Sequence, residues 1–437
     1  MGVLADGYDL TSIGIVLPLT LADFGLKSLS SLQSSLLAAS ALLGSAVGAI
    51  LFGLLANKGR KAFYGIDMII MAVAALAQAF VTNIPELIAI RFILGIGVGA
   101  DYVLSPLIIG EHSNKNDRGK SMALGFGMTW GFGAVFAALL YLGLTSFHVS
   151  DFYVWRIVLA AGAIPAALVI YLRRMMPETT RFLARIEGDT TKMAEVIEKV
   201  TGQSSDAPFE PLAIKDTQTI GYYLKTQWQR FATACLLWFL FDIVAYSGIL
   251  FGPSLIAKGI GLTPGTFNLI MEFGFVLPGG IMALILIDRW GRKPLQILGF
   301  LGMASSLIVF NYFQKETIIF PVIGLMLYGL ENFMQQAGPG SVSASGVLGI
   351  ELAPTKVRGI IQSFTVASGR IGAAISAVVF PSIFHAFGES FAMYFLASIA
   401  LVAAAVTIFG VPETKRQSLE DSANEQIFSM TDMREIS

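Results

Sequence analysis

The sequence is poor in charged residues. Only 14% of its 437 residues are Asp, Glu, Lys or Arg, whereas 55% are hydrophobic. A soluble globular protein carries about 25% charged residues, so this chain has too little polar surface to keep several domains in water. The composition therefore predicts an integral membrane protein. The net charge of −1 gives no electrostatic reason to bind nucleic acid.

The chain also lacks the residues that build metal and redox sites. Cys235 is its one cysteine, and its three histidines lie far apart in the sequence. An internal disulfide is excluded, and no metal-ligand spacing appears. The glycines between Gly95 and Gly99 do not form a phosphate loop, because they lie inside an apolar run and no strand precedes them. We therefore expect no enzyme activity, no metal and no cofactor.

Long apolar runs are what the sequence has in abundance. Runs of about twenty apolar residues are typical of membrane-spanning helices. The chain contains twelve of them, and they predict an all-α membrane protein with twelve transmembrane helices. The predicted spans are residues 1–24, 34–56, 62–82, 85–110, 120–146, 152–174, 229–257, 264–287, 294–313, 317–350, 357–384 and 387–410.

The distribution of Lys and Arg predicts the orientation of these spans. The loops after the even-numbered spans hold most of the basic residues, so the positive-inside rule places both termini in the cytoplasm and the protein in the plasma membrane. Residues 175–228 form the one long polar stretch. We interpret this stretch as a cytoplasmic linker between a first bundle at 1–174 and a second at 229–410, followed by a cytoplasmic tail at 411–437. The pattern around residues 192–200 predicts a short amphipathic helix within the linker.

Short motifs recur in the same order in the two halves. A Gly-Arg-Lys loop, a Glu that precedes Arg-Gly, and a Pro-Glu-Thr segment each appear twice, all at cytoplasmic span ends. Parallel repeats predict a pseudo-two-fold axis along the membrane normal and a cavity between the halves. The motifs either cap helices and fix topology, or form a charged latch that closes the cytoplasmic side. The residues concerned are Arg60, Glu111, Arg118, Asp288, Arg292, Glu351 and Arg358.

These motifs resemble those of the major facilitator superfamily, and within it those of sugar porters and metabolite–proton symporters. The resemblance extends over nearly the whole chain. It implies two six-helix bundles that rock about a central site, within a single monomeric chain. Asn57 stands where the family usually has Asp, so we expect the first-half latch to be weaker than the second-half latch at Asp288.

Charged residues inside the spans are the candidates for function. A charge at the bilayer centre costs at least about 2.5–3.5 kcal/mol, so such residues are expected to face a cavity. Acids outnumber bases six to two among them, and a carboxyl group buried without a cation tends to bind a proton. This surplus favours an interior that carries protons. The residues are Asp6, Asp9, Arg91, Asp101, Asp242, Glu272, Glu331 and Arg370.

Two features suggest an anion site. Arg370 lies well inside an apolar span and keeps its charge, so it pairs with an acid or binds an anionic substrate. In span 7, Trp238, Asp242 and Tyr246 lie four residues apart on one helix face. This stripe either lines a transport cavity or only packs against neighbouring helices.

Residues 99–106 resemble a segment of phosphate–proton symporters. That resemblance implies a proton site at Asp101 and a substrate site at Tyr102, and the spacing in span 7 is similar as well. Arg370 falls where that family carries a substrate-binding Lys, and Thr129 replaces a Gln of the family. Residues 6–9 are similar instead to the first-span motif of aromatic-acid–proton symporters, whose two Asp are implicated in transport.

We therefore predict proton-coupled symport of a small anion, either inorganic phosphate or an organic carboxylate. The alternatives are a carrier of sugars or other neutral metabolites, and a transporter-like receptor. Substrate contacts are predicted at Tyr102, Thr129, Trp238, Asp242, Tyr246 and Arg370. Proton coupling is predicted at Asp6, Asp9, Asp101 and Asp242, with Glu272, Glu331 and Gln335 as possible cavity lining.

Overall fold

The computed structural model describes residues 2–201, 216–252, 261–313 and 321–425. All regular secondary structure within these ranges is helical. The predicted linker residues 202–215 and tail residues 426–437 lie outside the described part of the chain.

Six spans form the first half, and their ends follow ordinary capping chemistry. Ser30 begins α2 with a capping box, in which its hydroxyl accepts from the Gln33 amide. Asn83 caps α4 in the same way through the Glu86 amide. The spans are α1 (Gly2–Asp23), α2 (Ser31–Ala56), α3 (Arg60–Gln78), α4 (Ile84–His112), α5 (Arg118–Ser146) and α6 (Asp151–Met175).

The second half contributes six more spans. It begins with α7 (Ile220–Phe251), α8 (Gly265–Leu286) and α9 (Arg292–Tyr312). Span α10 combines the helix Pro321–Gln335 with a short helix, Val347–Glu351. The final helix, Thr355–Gly410, is broken at Gly388, where φ is 83°, so it supplies α11 before this glycine and α12 after it.

Ten described helices are long and apolar enough to cross a membrane. The broken helix Thr355–Gly410 counts once among them but supplies two spans, and α10 adds one more, which gives the predicted twelve. The largest difference in a boundary is at α7. Helix α7 begins at Ile220, before the predicted residue 229, because the Thr219 hydroxyl caps it by accepting from the Tyr222 amide. Polar residues in its first turns lower the local hydropathy, so the apolar run that predicts the span begins later than the helix does. The linker contains a helix at Thr190–Thr201, where the amphipathic pattern predicts one.

In the part of the chain that the structure describes, complete π-helical turns lie within three spans. The turns lie at Ala123–Met128 in α5, Glu272–Val276 in α8 and Gln336–Gly340 in α10. Such turns insert one extra residue into a helix and are frequent at functional sites. The turn in α10 contains Pro339, which cannot donate the backbone hydrogen bond of a regular helix.

Close helix contacts hold the bundle together. A Cβ atom on Gly99 of α4 would lie 1.9 Å from the Ser45 carbonyl oxygen of α2, so only glycine allows this approach. The two halves meet in the same manner where Gly53 of α2 faces Ser363 of α11. Helices α5 and α8 form a second junction between the halves, at Gly131 and Leu277.

Candidate functional site

A cavity lies where the two halves meet. Its volume is about 60 Å³, on a scale on which one water molecule needs about 10–15 Å³. The first half contributes aromatic side chains and the second half contributes polar and charged ones. The principal lining residues are Tyr102, Phe126, Trp130, Asp242, Tyr246, Gln335, Gln336 and Arg370.

Arg370 is the charged centre of this cavity. Its guanidinium donates a hydrogen bond to the Tyr246 hydroxyl, and its Nη1 lies 3.5 Å from Oδ2 of Asp242. The guanidinium carbon lies 4.2 Å from the centre of the Tyr102 ring, within the range of a cation–π interaction. The predicted pairing of Arg370 with an acid is therefore present: α11 carries the arginine, and α4 and α7 supply its partners.

Several polar atoms of this site lack hydrogen-bond partners among the described residues. They are Nε of Arg370, Oδ2 of Asp242 and Nε1 of Trp238. Trp238 faces Asp242 and lies behind the cavity wall, with its ring 6.0 Å from the Arg370 guanidinium carbon. Buried polar groups are normally hydrogen-bonded. Asp242 and Arg370 line the cavity, so their two atoms leave hydrogen-bonding capacity for a ligand or for water, whereas the Trp238 nitrogen is directed at Asp242.

Thr129, Glu331 and Glu272 do not line the central cavity. The Thr129 hydroxyl donates to the Gly125 carbonyl of its own helix; the neighbouring Trp130 lines the cavity instead. Glu331 lines a separate small cavity within the second half. Glu272 faces Gly131 at the junction of α5 and α8. Gln335 does line the central cavity, and so does Gln336.

Asp101 lies in a different cluster from Arg370. Its Oδ1 accepts a hydrogen bond from Arg173 at 2.6 Å and another from Ser105. Arg173 also forms an ion pair with Asp67 of α3, and Asp6 of α1 faces Asp101. Tyr102, the next residue after Asp101, faces the central cavity. The structure therefore does not bring Asp101 and Asp6 together with Arg370 in the central cavity, because both carboxyl groups lie inside the first half.

Asp9 belongs to a third buried group. Its carboxylate lies in the field of Arg91 of α4, and Arg91 donates to the Gln78 amide oxygen at 3.3 Å. Both Asp9 oxygens and Nε of Arg91 lack hydrogen-bond partners in the described part of the chain. Asp6 and Asp9 are neighbours in one sequence motif but lie in different clusters, Asp6 with Asp101 and Asp9 with Arg91.

The repeated motifs assemble at one end of the bundle, which we call the latch end. Glu111 accepts hydrogen bonds from Arg60 of its own half at 3.3 Å and from Arg358 of the other half at 3.0 Å. Thr179 of the first Pro-Glu-Thr segment donates to the same carboxylate.

The second half repeats this arrangement around Glu351. Arg292 of its own half donates to it at 2.8 Å, and Arg118 of the other half donates at 2.7 Å. Thr414 of the second Pro-Glu-Thr segment completes the set. Each Glu thus binds one arginine from each half, so the motifs join the halves in addition to capping helices.

Asp288 and Asn57 occupy equivalent positions with different bonding. Asp288 accepts from the backbone amides of Gly119 and Lys120 at the start of α5, at 3.1 and 2.7 Å. A carboxylate at a helix N-terminus is stabilised by the free amides and by the helix dipole. The Asn57 side-chain oxygen faces Gly359 near the start of α11 but has no hydrogen-bond partner among the described residues. This difference agrees with the expected asymmetry of the latch.

The segment after α12 lies across the latch. Glu425 forms an ion pair with Arg185 of the linker at 2.9 Å and accepts from the Thr355 amide at 3.1 Å. Glu420 pairs with Arg181 at 2.9 Å. Partial burial raises the pKa of Glu420, but Arg181 outweighs this and holds the pKa below its usual value, so the carboxylate is charged at neutral pH.

We expect Glu351→Gln to open the latch end. The change leaves the buried Arg118 without its counter-charge and leaves Arg292 with Asp288 alone, and breaking a buried ion pair costs about 3–5 kcal/mol. Spin labels are placed at Lys61→Cys, in the first turn of α3, and at Arg289→Cys, in the turn after α8, which are exposed positions of the two halves. They should show a longer distance population in a Cys235→Ser background. The ion pair Asp23–Arg156 is partly exposed, so Asp23→Asn is the control and should leave the distances unchanged. A distance distribution in Glu351→Gln identical to that of the parent would contradict the latch.

Two six-helix halves, repeated latch motifs and a central cavity define a membrane transporter of the major facilitator superfamily. Residues 1–425 match the sequence profile described as "Sugar (and other) transporter", and the chain belongs to this family. It is a transporter and not an enzyme.

Two relatives in sequence are named as transporters of inorganic phosphate. The chain is 31% identical to the "Probable inorganic phosphate transporter 1-6" of Arabidopsis thaliana, over 97% of this chain and 92% of that protein. It is 32% identical to the "Low affinity inorganic phosphate transporter 5" of Petunia hybrida, over 88% of this chain and 81% of that protein.

Solved structures show the same fold. The proton:xylose symporter XylE bound to 6-bromo-6-deoxy-D-glucose has a TM-score of 0.82 at 22% identity, covering 97% of this chain and 96% of that one. An inward-open conformation of the xylose transporter XylE from E. coli has a TM-score of 0.71 at 23% identity, covering 97% of both chains.

Proposed function

We propose that this protein is a proton-coupled symporter of inorganic phosphate. The observation that carries the proposal is a guanidinium, Arg370, whose Nε has no partner among the described residues and which lines a small cavity between the halves. Arginine is well suited to phosphate, because its planar fork donates two parallel hydrogen bonds to an oxyanion. The names of the relatives support the same substrate.

The size of the cavity favours a small substrate. A volume of about 60 Å³ accommodates about four water molecules, which is close to the number of oxygen atoms in phosphate. A hexose or pentose, with its ring and several hydroxyl groups, needs more room than this. The cavity as it stands therefore fits phosphate better than a sugar.

Hydrogen bonding from the remaining wall would orient the anion. Tyr246 and Gln336 line the cavity close to Arg370, and a phenol and an amide both donate to phosphate oxygens. The Tyr102 ring lies against the other face of the guanidinium. Thr129, in contrast, bonds to its own helix, so we assign it no substrate contact.

Proton binding would be linked to the anion by charge. Asp242 lies 3.5 Å from the Arg370 guanidinium, so in its ionised form it neutralises Arg370 and repels an incoming phosphate. A protonated Asp242 leaves the cation free to bind the anion. Asp101 and Asp6 form a second proton-exchanging group, which lies behind Tyr102 in the first half. Asp9 with Arg91 is a third candidate.

We place the latch end in the cytoplasm, since its loops carry most of the basic residues of the chain. The latch then seals the inward exit in this structure. Rocking of the halves would break the bonds of Glu111 and Glu351 and release phosphate and proton together. The plasma membrane is the location that we propose, with both termini in the cytoplasm.

A proteoliposome assay tests the function. We expect an inward-directed proton gradient to drive accumulation of phosphate, with alkalinisation of the outside medium in step with uptake. Excess arsenate, an isosteric anion, should compete, whereas xylose, glucose and benzoate should not. Uptake of xylose or glucose without uptake of phosphate would instead establish a sugar carrier, and binding of phosphate without any flux would indicate a receptor.

A further inference from the structure

A buried arginine outside the central cavity has no role in the proposed phosphate site. Arg173, near the end of α6, is 4% exposed. One of its nitrogens bonds to Asp67, and the other bonds to Oδ1 of Asp101 at 2.6 Å and to Ser105 at 3.1 Å. Its guanidinium carbon also lies 4.3 Å from the centre of the Tyr64 ring. Four different groups therefore fix its position.

Asp67 is in turn held by the backbone. Its Oδ1 accepts from the Gly65 amide at 2.7 Å, and its Oδ2 accepts from Arg173. Both oxygens are thus occupied, and the side chain is fully buried. Asp67 therefore acts as a fixed anchor for Arg173.

The cluster contains more acids than bases. Among the described residues, Asp6 of α1, Asp67 of α3 and Asp101 of α4 face one cation, Arg173. The other titratable groups near them are the tyrosines, Tyr64 beside Arg173 and Tyr102 and Tyr246 on the side of Asp6. Both oxygens of Asp6 and Oδ2 of Asp101 lack a hydrogen-bond donor among the described residues. Two facing carboxyl groups can hydrogen-bond only if one of them carries a proton. The free oxygens of Asp6 and Asp101 therefore form a proton site, and Arg173 holds the opposite oxygen of Asp101.

The same two helices connect this cluster to the latch. Helix α3 begins at Arg60, which bonds to Glu111, and carries Asp67 further along. Helix α6 ends just after Arg173 and is followed directly by Thr179, which donates to the same Glu111 carboxylate. A movement of α3 against α6 at the latch would therefore change the distance between Asp67 and Arg173.

We propose that the Asp67–Arg173 pair is the positioning element that orients Asp101 for proton exchange with Asp6 and links that exchange to the opening of the latch. While the latch is closed, Arg173 occupies Oδ1 of Asp101 and keeps Oδ2 directed at Asp6. When the latch opens and α6 moves away from α3 and α4, Arg173 leaves Asp67 and Asp101, and the carboxyl pair loses the geometry that holds the proton. The proton moves between carboxyl oxygens and water, so no redox partner or covalent intermediate is needed. The inference rests on the proposed proton coupling but not on phosphate as the substrate.

Infrared titration of the purified protein tests the inference without any substrate. The carbonyl band of the protonated carboxyl pair is identified as the band lost in Asp101→Asn. We expect its titration midpoint to shift by about one pH unit or more in Asp67→Asn and in Arg173→Lys, because each change removes a charge-assisted hydrogen bond from the cluster. The control is Arg156→Lys, which alters an arginine of the same helix that pairs with Asp23 at 2.8 Å; its midpoint should equal that of the parent.

Transport supplies the second readout. In proteoliposomes, Asp67→Asn should lower gradient-driven accumulation of phosphate by about tenfold or more, the effect of about one pH unit in proton binding, while phosphate exchange across equal pH stays within about twofold of the parent. If Arg173→Lys fails to fold, Asp67→Asn carries the test alone. Unchanged midpoints in the variants that fold, or an equal loss of exchange and accumulation, would overturn the inference. If the parent protein takes up no phosphate, the proposed substrate is wrong, and the infrared titration still decides the role of the pair.

Discussion

Arg370→Ala is expected to abolish measurable phosphate binding, whereas Arg370→Lys should still bind phosphate with reduced affinity. Hydrogen bonds to a charged group contribute about 1.5–3 kcal/mol each, so losing the two bonds of a guanidinium fork weakens binding by about a hundredfold or more. Lysine keeps the charge but donates from a single point, so we expect a loss of about tenfold. Equilibrium binding of radiolabelled phosphate to the detergent-purified variants measures both effects.

The ion pair with Asp242 needs its own control. Removing Arg370 alone leaves Asp242 as a buried carboxylate without a cation, and this could disturb the fold. The double variant Asp242→Asn/Arg370→Ala removes both charges, and it should fold as the parent does while still failing to bind phosphate. Arg156→Ala, at a partly exposed ion pair, should bind normally. Phosphate binding by the double variant at parental affinity would reduce Arg370 to a structural partner of Asp242.

Asp101→Asn is expected to abolish uphill uptake and to spare exchange. Asparagine has the shape of aspartate but cannot release a proton, so accumulation driven by a pH gradient has no coupling step in the first half. The amide oxygen still accepts from Arg173 and Ser105, which bond to Oδ1 of Asp101, and its nitrogen donates to Asp6. The cluster therefore keeps its packing, and exchange of phosphate continues.

Two measurements separate coupling from folding in that variant. Accumulation under a proton gradient should fall to background, a loss of about a hundredfold. Counterflow of labelled phosphate at equal pH should stay within about threefold of the parent, which corresponds to a free-energy change of less than about 0.7 kcal/mol. Asp23→Asn should behave as the parent in both assays. Gradient-driven accumulation by Asp101→Asn at the parental level would remove Asp101 from the coupling pathway.

The spans and the latch could be predicted because their signals are local. Continuous apolar runs determine where α1 to α12 lie, and the repeated motifs identify both Glu111 and Glu351 without any coordinates. Symmetry predicts that Glu111 and Glu351 have equivalent partners, but the arginine from the opposite half is identified only by the structure. The start of α7 was harder, because its first turns are polar and resemble a linker.

The composition of the buried clusters could not be predicted in the same way. A helix that is apolar all round shows no preferred face, so hydropathy does not tell whether Glu331 points to the centre or into its own half. Arg173 and Asp67 lie near the ends of their predicted spans, where charged residues are ordinary. Asp67 nevertheless falls inside the predicted span 62–82, so the rule that selects charged residues within spans identifies it as a candidate. For Thr129, the resemblance alone suggested a substrate contact that its bond to the Gly125 carbonyl does not support.

The segment after α12 has a practical consequence for work on this protein. Ser422 donates to the Glu351 carbonyl, and Glu425 receives bonds from both the linker and the start of α11. A truncation or fusion that removes residues before 425 therefore deletes part of the seal between the two bundles. Affinity tags and fluorescent reporters belong beyond that residue, and a shortened version should be compared with the complete chain before its transport rates are interpreted.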